Sequence, residues 1–147
     1  MKEQIKKIFV KFDIVNLFKQ FVKFGLVGVL NTIVGLGTIF ICMNLFKLDY
    51  KISNIIGYII GVLNSFIFNK FWTFKSTANF KGEAVKFFAV FLVCFGIQFG
   101  FTVFFKEILL FPKEIATIGG MVIYTILGFF GNKIFTFKKD TKNYTDK

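Results

Sequence analysis

The chain contains no histidine and is poor in proline, cysteine and acidic residues. Its 147 residues include one Pro, two Cys and eight acidic residues against 19 basic ones, for a formal net charge of +11. Without histidine, and with no Cys beside a base, the sequence offers no general acid–base pair and no activated nucleophile. We therefore expect that the chain is not an enzyme and that it uses no metal or other cofactor.

The few acidic residues also avoid the apolar stretches. Each one falls in a predicted loop or tail, so no predicted helix offers a carboxylate within the membrane. A proton-coupled exporter or an aspartyl-type intramembrane enzyme is expected to need such a group. Small four-helix multidrug exporters are disfavoured for this reason, and also because the asymmetric distribution of lysines forbids a dual orientation.

Apolar surface is what the sequence has in excess. Hydrophobic residues make up 55% of the chain, 25 residues are Phe, and the mean hydropathy is +0.67. Four stretches without a charged residue are long enough to cross, or nearly cross, a hydrocarbon core of about 30 Å. They are residues 24–46, 52–69, 87–105 and 115–132. The sequence predicts an all-α membrane protein with four transmembrane helices.

These helices are predicted to form a tandem repeat of two helical hairpins. The heptapeptide 69–75, Asn-Lys-Phe-Trp-Thr-Phe-Lys, recurs 63 residues later at 132–138 as Asn-Lys-Ile-Phe-Thr-Phe-Lys. The same offset aligns residues 22–75 with 85–138 without a gap, which indicates an internal duplication. Residues 22–75 are therefore repeat one and residues 85–138 repeat two of a transmembrane domain that covers residues 24–138.

Lysines are concentrated on one side of the predicted bundle. Most lie in residues 1–23, 70–86 and 133–147, whereas the turns at 47–51 and 106–114 carry few, offset by acidic residues. Because short cytoplasmic loops retain positive charge, both termini are expected in the cytoplasm. The predicted location is the cell (cytoplasmic) membrane, as a multi-pass protein. The net charge then reflects orientation and contact with membrane lipids, and binding to nucleic acid is not expected.

The two ends of the chain are richer in polar residues. Residues 1–23 form a basic interfacial segment, for which two interpretations stay open. It folds as two short interfacial helices, the second capped by Asp13, or it is a partly ordered tail that only fixes orientation. Residues 139–147 form a polar tail that is expected to be disordered.

The second helix of each repeat carries small residues at four-residue intervals. Such stripes allow two helix backbones to approach closely. The stripes and the Asn that ends each of them are Ser53, Gly57, Gly61, Ser65 and Asn69 in repeat one, and Ala116, Gly120, Tyr124, Gly128 and Asn132 in repeat two. Each stripe therefore ends in Asn-Lys at the predicted cytoplasmic interface.

Amide and ammonium groups gather in the predicted cytoplasmic half of the bundle. At headgroup depth such groups suit the phosphate of an anionic lipid that approaches from the cytoplasmic leaflet, and an Asn also suits a sugar hydroxyl. Alternatively, Asn31 only forms a hydrogen bond between two helices, and the aromatic residues and lysines of each heptapeptide are ordinary membrane anchors. The candidate binding residues are Asn31, Asn64, Asn69, Lys70, Asn132 and Lys133.

The motifs of repeat one resemble those of the GtrA-like membrane proteins. The first helix opens with the pattern Phe-x-x-x-Gly-x-x-Asn-Thr at residues 24–32, and the second ends with Asn-Lys-x-Trp-Thr-Phe at residues 69–74. The resemblance covers residues 18–139 and adds Trp72 to the candidate residues. Repeat two departs from the pattern, because Leu127 stands at the position of Asn64 and Phe135 at that of Trp72.

The resemblance implies a part in cell-surface polysaccharide synthesis. The implied activity is flipping of a polyprenyl-phosphate-linked sugar from the cytoplasmic to the outer leaflet, where a separate membrane glycosyltransferase uses it to modify teichoic acid or O-antigen. The alternative is a membrane anchor or scaffold that positions a polyprenyl-phosphate glycosyltransferase and moves no lipid. The expected partners are the lipid-linked sugar, membrane lipids, the glycosyltransferase and further copies of the chain, since one four-helix bundle is thin for enclosing a sugar.

Overall fold

A computed structural model describes residues 14–137, which are entirely helical apart from the connecting turns. Three of the four α-helices continue into a single π-helical turn. The elements in chain order are α1 (Ile14–Asn44), α2 (Tyr50–Phe68) with its π-turn (Asn69–Thr73), α3 (Phe80–Val103) with its π-turn (Phe104–Ile108), and α4 (Lys113–Gly131) with its π-turn (Asn132–Thr136). Residues 1–13 and 138–147 lie outside the described part, and with them Asp13 and the polar tail.

The predicted fold class is confirmed, because four helices are long and apolar enough to cross a membrane. They run longer than their charge-free stretches. The first begins at Ile14, ahead of the predicted Phe24, and the third begins at Phe80, ahead of the predicted Phe87. Lysines near a helix end are compatible with this, since their apolar stems lie along the helix while the ammonium groups reach polar surroundings.

Two compact units divide the chain, with the boundary between Lys75 and Ser76. In the first unit α1 packs on α2, and in the second α3 packs on α4. Few large apolar side chains are buried in either unit, and many, such as Leu36 and Phe99, are exposed. Exposure of this kind fits helices whose outer faces contact lipid instead of water.

In the first unit the stripe of small residues forms the contact between α1 and α2. Ser53, Gly57 and Gly61 are all buried. A Cβ atom added to Gly57 would lie 2.9 Å from the carbonyl oxygen of Gly35 and would overlap the side chain of Ile39. The helix backbones approach so closely at this point that only glycine fits.

The second unit repeats this contact with equivalent residues. A Cβ atom added to Gly120 would lie 2.5 Å from Thr102 Oγ1 and 3.2 Å from Gln98 Cγ. Gln98 and Thr102 are the residues that the 63-residue offset pairs with Gly35 and Ile39. The polar Gln98 thus serves as part of the helix contact in the second unit.

The turns and ring contacts follow the same offset. Lys47 and Leu110, which are equivalent, have left-handed φ angles of 53° and 54°. The matching interactions are Leu48 N to Cys42 O and Phe111 N to Phe105 O, both 3.0 Å, and the ring pairs Phe24–Phe74 and Phe87–Phe137, with centroids 6.3 and 6.1 Å apart. Each unit is therefore one copy of the same helical hairpin, from its first ring contact to its last.

Candidate functional site

The two heptapeptides begin with equivalent π-helical turns. The N–H of Phe74 donates to the carbonyl of Asn69 at 2.9 Å, and the N–H of Phe137 donates to that of Asn132 at 2.8 Å. Each of these hydrogen bonds joins residues five positions apart instead of four, so the last turn of each helix is wider than an α-helical turn. Such π-turns occur often at functional sites. Each turn begins at the Asn that ends the small-residue stripe.

In the first unit this turn brings polar side chains into the interior. Asn69, Lys70 and Thr73 are only 1%, 3% and 3% exposed, whereas Trp72 is 41% exposed. Buried amides, hydroxyls and ammonium groups are costly in apolar surroundings unless they find partners. The end of α2 therefore has a polar interior, in a hairpin whose spanning helices are mostly apolar.

Aromatic rings contact the ammonium groups near these turns. Lys70 Nζ lies 5.7 Å from the ring centroid of Phe71, and Lys23 Nζ lies 5.2 Å from that of Trp72. In the second unit Lys133, which is partly buried, has its Nζ 6.0 Å from the ring centroid of Phe129. Cation–π contacts of this length contribute about 0.5–2 kcal/mol each, depending on their exposure to solvent.

Asn69 and Thr73 lack part of the hydrogen bonding that their burial calls for. The amide nitrogen of Asn69 donates to Ser65 Oγ at 3.3 Å. Its carbonyl oxygen Oδ1, and the hydroxyl of Thr73, are buried without a hydrogen-bond partner. A buried polar atom without a partner costs about 1–3 kcal/mol, so this turn holds unused hydrogen-bonding capacity.

The equivalent pair in the second unit is internally satisfied. Thr136 Oγ1 donates to Asn132 Oδ1 at 2.9 Å, and Asn132 Nδ2 donates to the carbonyl of Gly128 at 2.8 Å. Both ends of the Asn132 amide therefore have a partner within the helix end. The two turns share Asn, Lys and Thr and the same backbone hydrogen bond, but they differ in the hydrogen bonding of the Asn and Thr side chains.

Asn31 and Asn64 place two more unpartnered atoms in the first unit. Asn31 Oδ1 faces Gly61 of α2, where it would lie 3.3 Å from an added Cβ atom. This oxygen and Asn64 Nδ2 are both buried without a hydrogen-bond partner. The absence of a side chain at Gly61 thus leaves room for an amide between α1 and α2.

Five of the seven predicted residues lie in the first unit, namely Asn31, Asn64, Asn69, Lys70 and Trp72, and two lie in the second, namely Asn132 and Lys133. The sequence analysis missed Thr73, although the four-residue register of the stripe continues from Asn69 to this position. It also missed Lys23, whose contact with Trp72 crosses from α1 to the end of α2.

Three acidic residues, Glu83, Glu107 and Glu114, lie in helical elements, in contrast to the expectation that all of them lie in loops or tails. Asn79 caps α3 by accepting a hydrogen bond from the N–H of Lys81, so the helix begins early enough to include Glu83 in its first turn. The Glu83 carboxylate is 4% exposed and accepts a hydrogen bond from the hydroxyl of Ser76. The expectation was therefore wrong for Glu83, because an N-cap in the preceding segment extends the helix. It was also wrong for Glu107 and Glu114, because the π-turn of α3 and the first turn of α4 extend beyond the charge-free stretches.

Four apolar helices with buried amides and ammonium groups at helix ends define a multi-pass, all-helical membrane protein. Residues 23–137 match the family model described as the GtrA/DPMS transmembrane domain. The chain therefore belongs to this family of membrane domains, which is related to the glycosylation of polysaccharides.

Two proteins of Bacillus subtilis (strain 168) are similar to the chain. The uncharacterized membrane protein YngA is 34% identical over 121 residues, which cover 79% of this chain and 78% of YngA. The uncharacterized membrane protein YwcD is 25% identical over 112 residues, which cover 74% of this chain and 88% of YwcD. The similarity to both relatives extends over most of their lengths.

Proposed function

We propose that the protein moves a polyprenyl-phosphate-linked sugar from the cytoplasmic to the outer leaflet of the cell membrane, for glycosylation of a cell-surface polysaccharide such as teichoic acid or O-antigen. The observation that carries this proposal is the buried polar turn at the end of α2, where Asn69, Lys70 and Thr73 are each no more than 3% exposed. Polar and charged groups within a membrane protein are expensive, and they mark the path of a polar substrate.

Each chemical part of the substrate has a counterpart among the candidate residues or on the helix surfaces. Lys70 supplies an ammonium group for the lipid phosphate, and Lys133 offers the same group at the equivalent position of the second unit. Asn31, Asn64 and Asn69 offer amides for polar groups of the head, and the half-exposed Trp72 adds an aromatic face and one N–H donor. The exposed apolar sides of the helices suit the polyprenyl chain.

Sugar transfer itself belongs to a partner in this proposal. The chain acts by binding and moving the lipid, and a separate membrane glycosyltransferase performs the chemistry. Further copies of the chain complete the assembly, because four helices alone enclose little space for a sugar headgroup. The location is the cell membrane, with the ends of α2 and α4 at the cytoplasmic face.

The test is a transport measurement with purified protein in liposomes. The probes are short-chain polyprenyl phosphates that carry glucose, galactose or N-acetylglucosamine, and transbilayer movement is followed as accessibility of the sugar from outside. We expect the wild-type protein to accelerate movement of at least one probe. Lys70→Gln should slow it about ten- to a hundredfold, the loss that corresponds to one charge-assisted hydrogen bond of roughly 1.5–3 kcal/mol. Lys133→Gln should act in the same direction.

Lys75→Gln is the matched control. Lys75 is the next lysine after the turn and is exposed, so its substitution should leave transport unchanged. Absence of movement for every probe in liposomes, together with retained binding to a glycosyltransferase, would contradict translocation and favour the anchor or scaffold. Equal effects of Lys70→Gln and Lys75→Gln would contradict a specific phosphate site at the turn.

A further inference from the structure

The two π-turns carry the same Asn and Thr, but only one of them has hydrogen-bonding capacity left. In the second unit the amide of Asn132 and the hydroxyl of Thr136 satisfy each other and the carbonyl of Gly128. In the first unit Asn69 Oδ1 and Thr73 Oγ1 are buried without a partner. The difference is a property of the side chains, because the two backbones make the same π-turn hydrogen bond.

One sequence difference between the repeats lies directly at this contact. Ser65 occupies the position equivalent to Gly128 of the second unit. The Ser65 hydroxyl accepts a hydrogen bond from the amide nitrogen of Asn69. The nitrogen of Asn132 instead bonds to the backbone carbonyl of Gly128, and Asn132 Oδ1 accepts from the hydroxyl of Thr136. In the unit with Ser65, the Asn and Thr side chains are therefore not bonded to each other. In the unit with Gly128, they are.

The other two unpartnered atoms belong to Asn31 and Asn64 and lie in the same unit, and that of Asn31 faces the same stripe. Gly61, Ser65, Asn69 and Thr73 follow one another at four-residue intervals, and Asn31 faces the first of them. The positions of Asn31, Gly61 and Asn64 are occupied in repeat two by Cys94, Tyr124 and Leu127. At these three positions the second unit thus has bulk or apolar groups where the first has amides or free space.

The chemistry of the open atoms distinguishes among parts of a ligand. Asn31 Oδ1 and Asn69 Oδ1 are acceptors, Asn64 Nδ2 is a donor, and the Thr73 hydroxyl is both. The oxygens of an ionised phosphate diester only accept, so they cannot satisfy an Asn carbonyl. Sugar hydroxyls donate and accept, and they match all four atoms.

We propose that Asn69 and Thr73 form a subsite for sugar hydroxyls at the end of α2 in repeat one, while the Asn132–Thr136 pair of repeat two is a structural clasp that binds no ligand. This inference rests on the proposed function and deepens it. Lys70, next to Asn69 in the chain, then holds the phosphate, and Thr73 becomes a determinant of specificity for the glycosylated lipid over the bare one.

The test compares two nearly isosteric substitutions, Thr73→Val and Thr136→Val, in the full chain reconstituted in nanodiscs. The probes are a short-chain polyprenyl phosphate and the same lipid carrying glucose, galactose or N-acetylglucosamine. Thr73→Val should weaken binding of the glycosylated lipid about tenfold, the ratio for one hydrogen bond, and leave binding of the bare lipid unchanged. It should not lower the Tm, because the hydroxyl has no partner to lose. Thr73→Ser, which keeps the hydroxyl, should retain the wild-type affinity.

Thr136→Val should do the reverse, lowering the Tm while leaving the affinity of the folded protein unchanged. Equal weakening of bare and glycosylated lipid by Thr73→Val would overturn the assignment to sugar hydroxyls. Equal loss of affinity in the two Val variants would overturn the division of roles between the repeats. If the wild-type protein binds bare lipid but none of the glycosylated lipids, the proposed function fails, and this inference fails with it. Lys70→Gln separates the cases further, since it should weaken both kinds of probe.

Discussion

Gly57 shows how strictly a single position is determined when two helices meet at their backbones. Its Cα approaches α1 so closely that an added methyl group would lie 2.9 Å from the carbonyl oxygen of Gly35 and would overlap Ile39. Gly37, two residues further along α1, has no atom within 4 Å of an added Cβ. Two glycines in one hairpin therefore differ in whether a side chain can be accommodated.

We expect Gly57→Ala to lower the free energy of unfolding of the protein by about 1–3 kcal/mol, because overpacking must push the two helices apart. Gly37→Ala is the matched control and should change it by no more than about 1 kcal/mol, in the stabilising direction, since Ala favours a helix more than Gly does. Reversible unfolding by SDS of the purified protein measures both. Equal stability of the two variants would contradict the close contact between α1 and α2.

The candidate residues could be found from the sequence, but their hydrogen bonding could not. Asn69 and Asn132 occupy equivalent positions in equivalent heptapeptides, and the sequence analysis gave them the same role. Their side chains differ because Ser65 and Gly128 offer different partners one turn earlier. Which partner each amide chooses depends on side-chain conformation, which a repeat alignment does not contain.

At the scale of the element, the turns that join the helices of each hairpin depend on one left-handed residue. Lys47 and Leu110 have φ angles of 53° and 54°, and neither is a glycine. A left-handed conformation costs an L-residue roughly 1–2 kcal/mol, and glycine is the usual solution at the end of a helix. Leu110 is also 81% exposed, so its side chain contributes little packing within the unit.

Leu110→Gly should therefore stabilise the protein by up to about 1 kcal/mol, because relief of the left-handed strain outweighs the entropy that glycine adds to the unfolded chain. Leu109→Gly is the control. Leu109 has a φ of −89°, so the substitution there only adds chain entropy and should destabilise by about 0.5–1 kcal/mol. Thermal unfolding in detergent compares the two, and destabilisation by Leu110→Gly of the same size as by Leu109→Gly would contradict the strain.

Helix number and order followed from the charge-free stretches, whereas helix ends did not. Charges mark where a hydrocarbon core ends, but a helix continues through the interfacial layer as long as its backbone bonds and caps allow. Asn79 starts α3 at Phe80, and the π-turns extend three helices by five residues each. The π-turns have no pattern of their own in the sequence, because their residues also suit an α-helix.

At the scale of the whole molecule, lysine distribution and lipid-facing apolar surface together determine how the chain inserts. The exposed faces of the four helices carry Ile, Leu, Val and Phe throughout residues 14–137, so they give no preference for either direction of insertion. Orientation is then decided by the helix ends and the segments that join them, where Lys70, Lys75, Lys81 and Lys86 are opposed by nearly neutral turns at the other helix ends. The positive-inside rule predicts that the segment 70–86 is cytoplasmic.

Single cysteines in a background without Cys42 and Cys94 test this orientation. Lys51 and Lys106 are exposed at the two predicted outer turns, and Thr77 is exposed in the predicted cytoplasmic segment. Thr77 is preferable to Ser76, whose hydroxyl is bonded to the buried Glu83. A membrane-impermeant maleimide should label Lys51→Cys and Lys106→Cys in intact cells and Thr77→Cys only after permeabilisation. Labelling of all three in intact cells would indicate dual orientation, and labelling of Thr77→Cys alone would indicate an inverted one. Dual orientation would contradict the single orientation that the lysines predict. The inverted orientation would place the polar turn at the end of α2 on the wrong side for a lipid-linked sugar made in the cytoplasm, and would contradict uptake from the cytoplasmic leaflet.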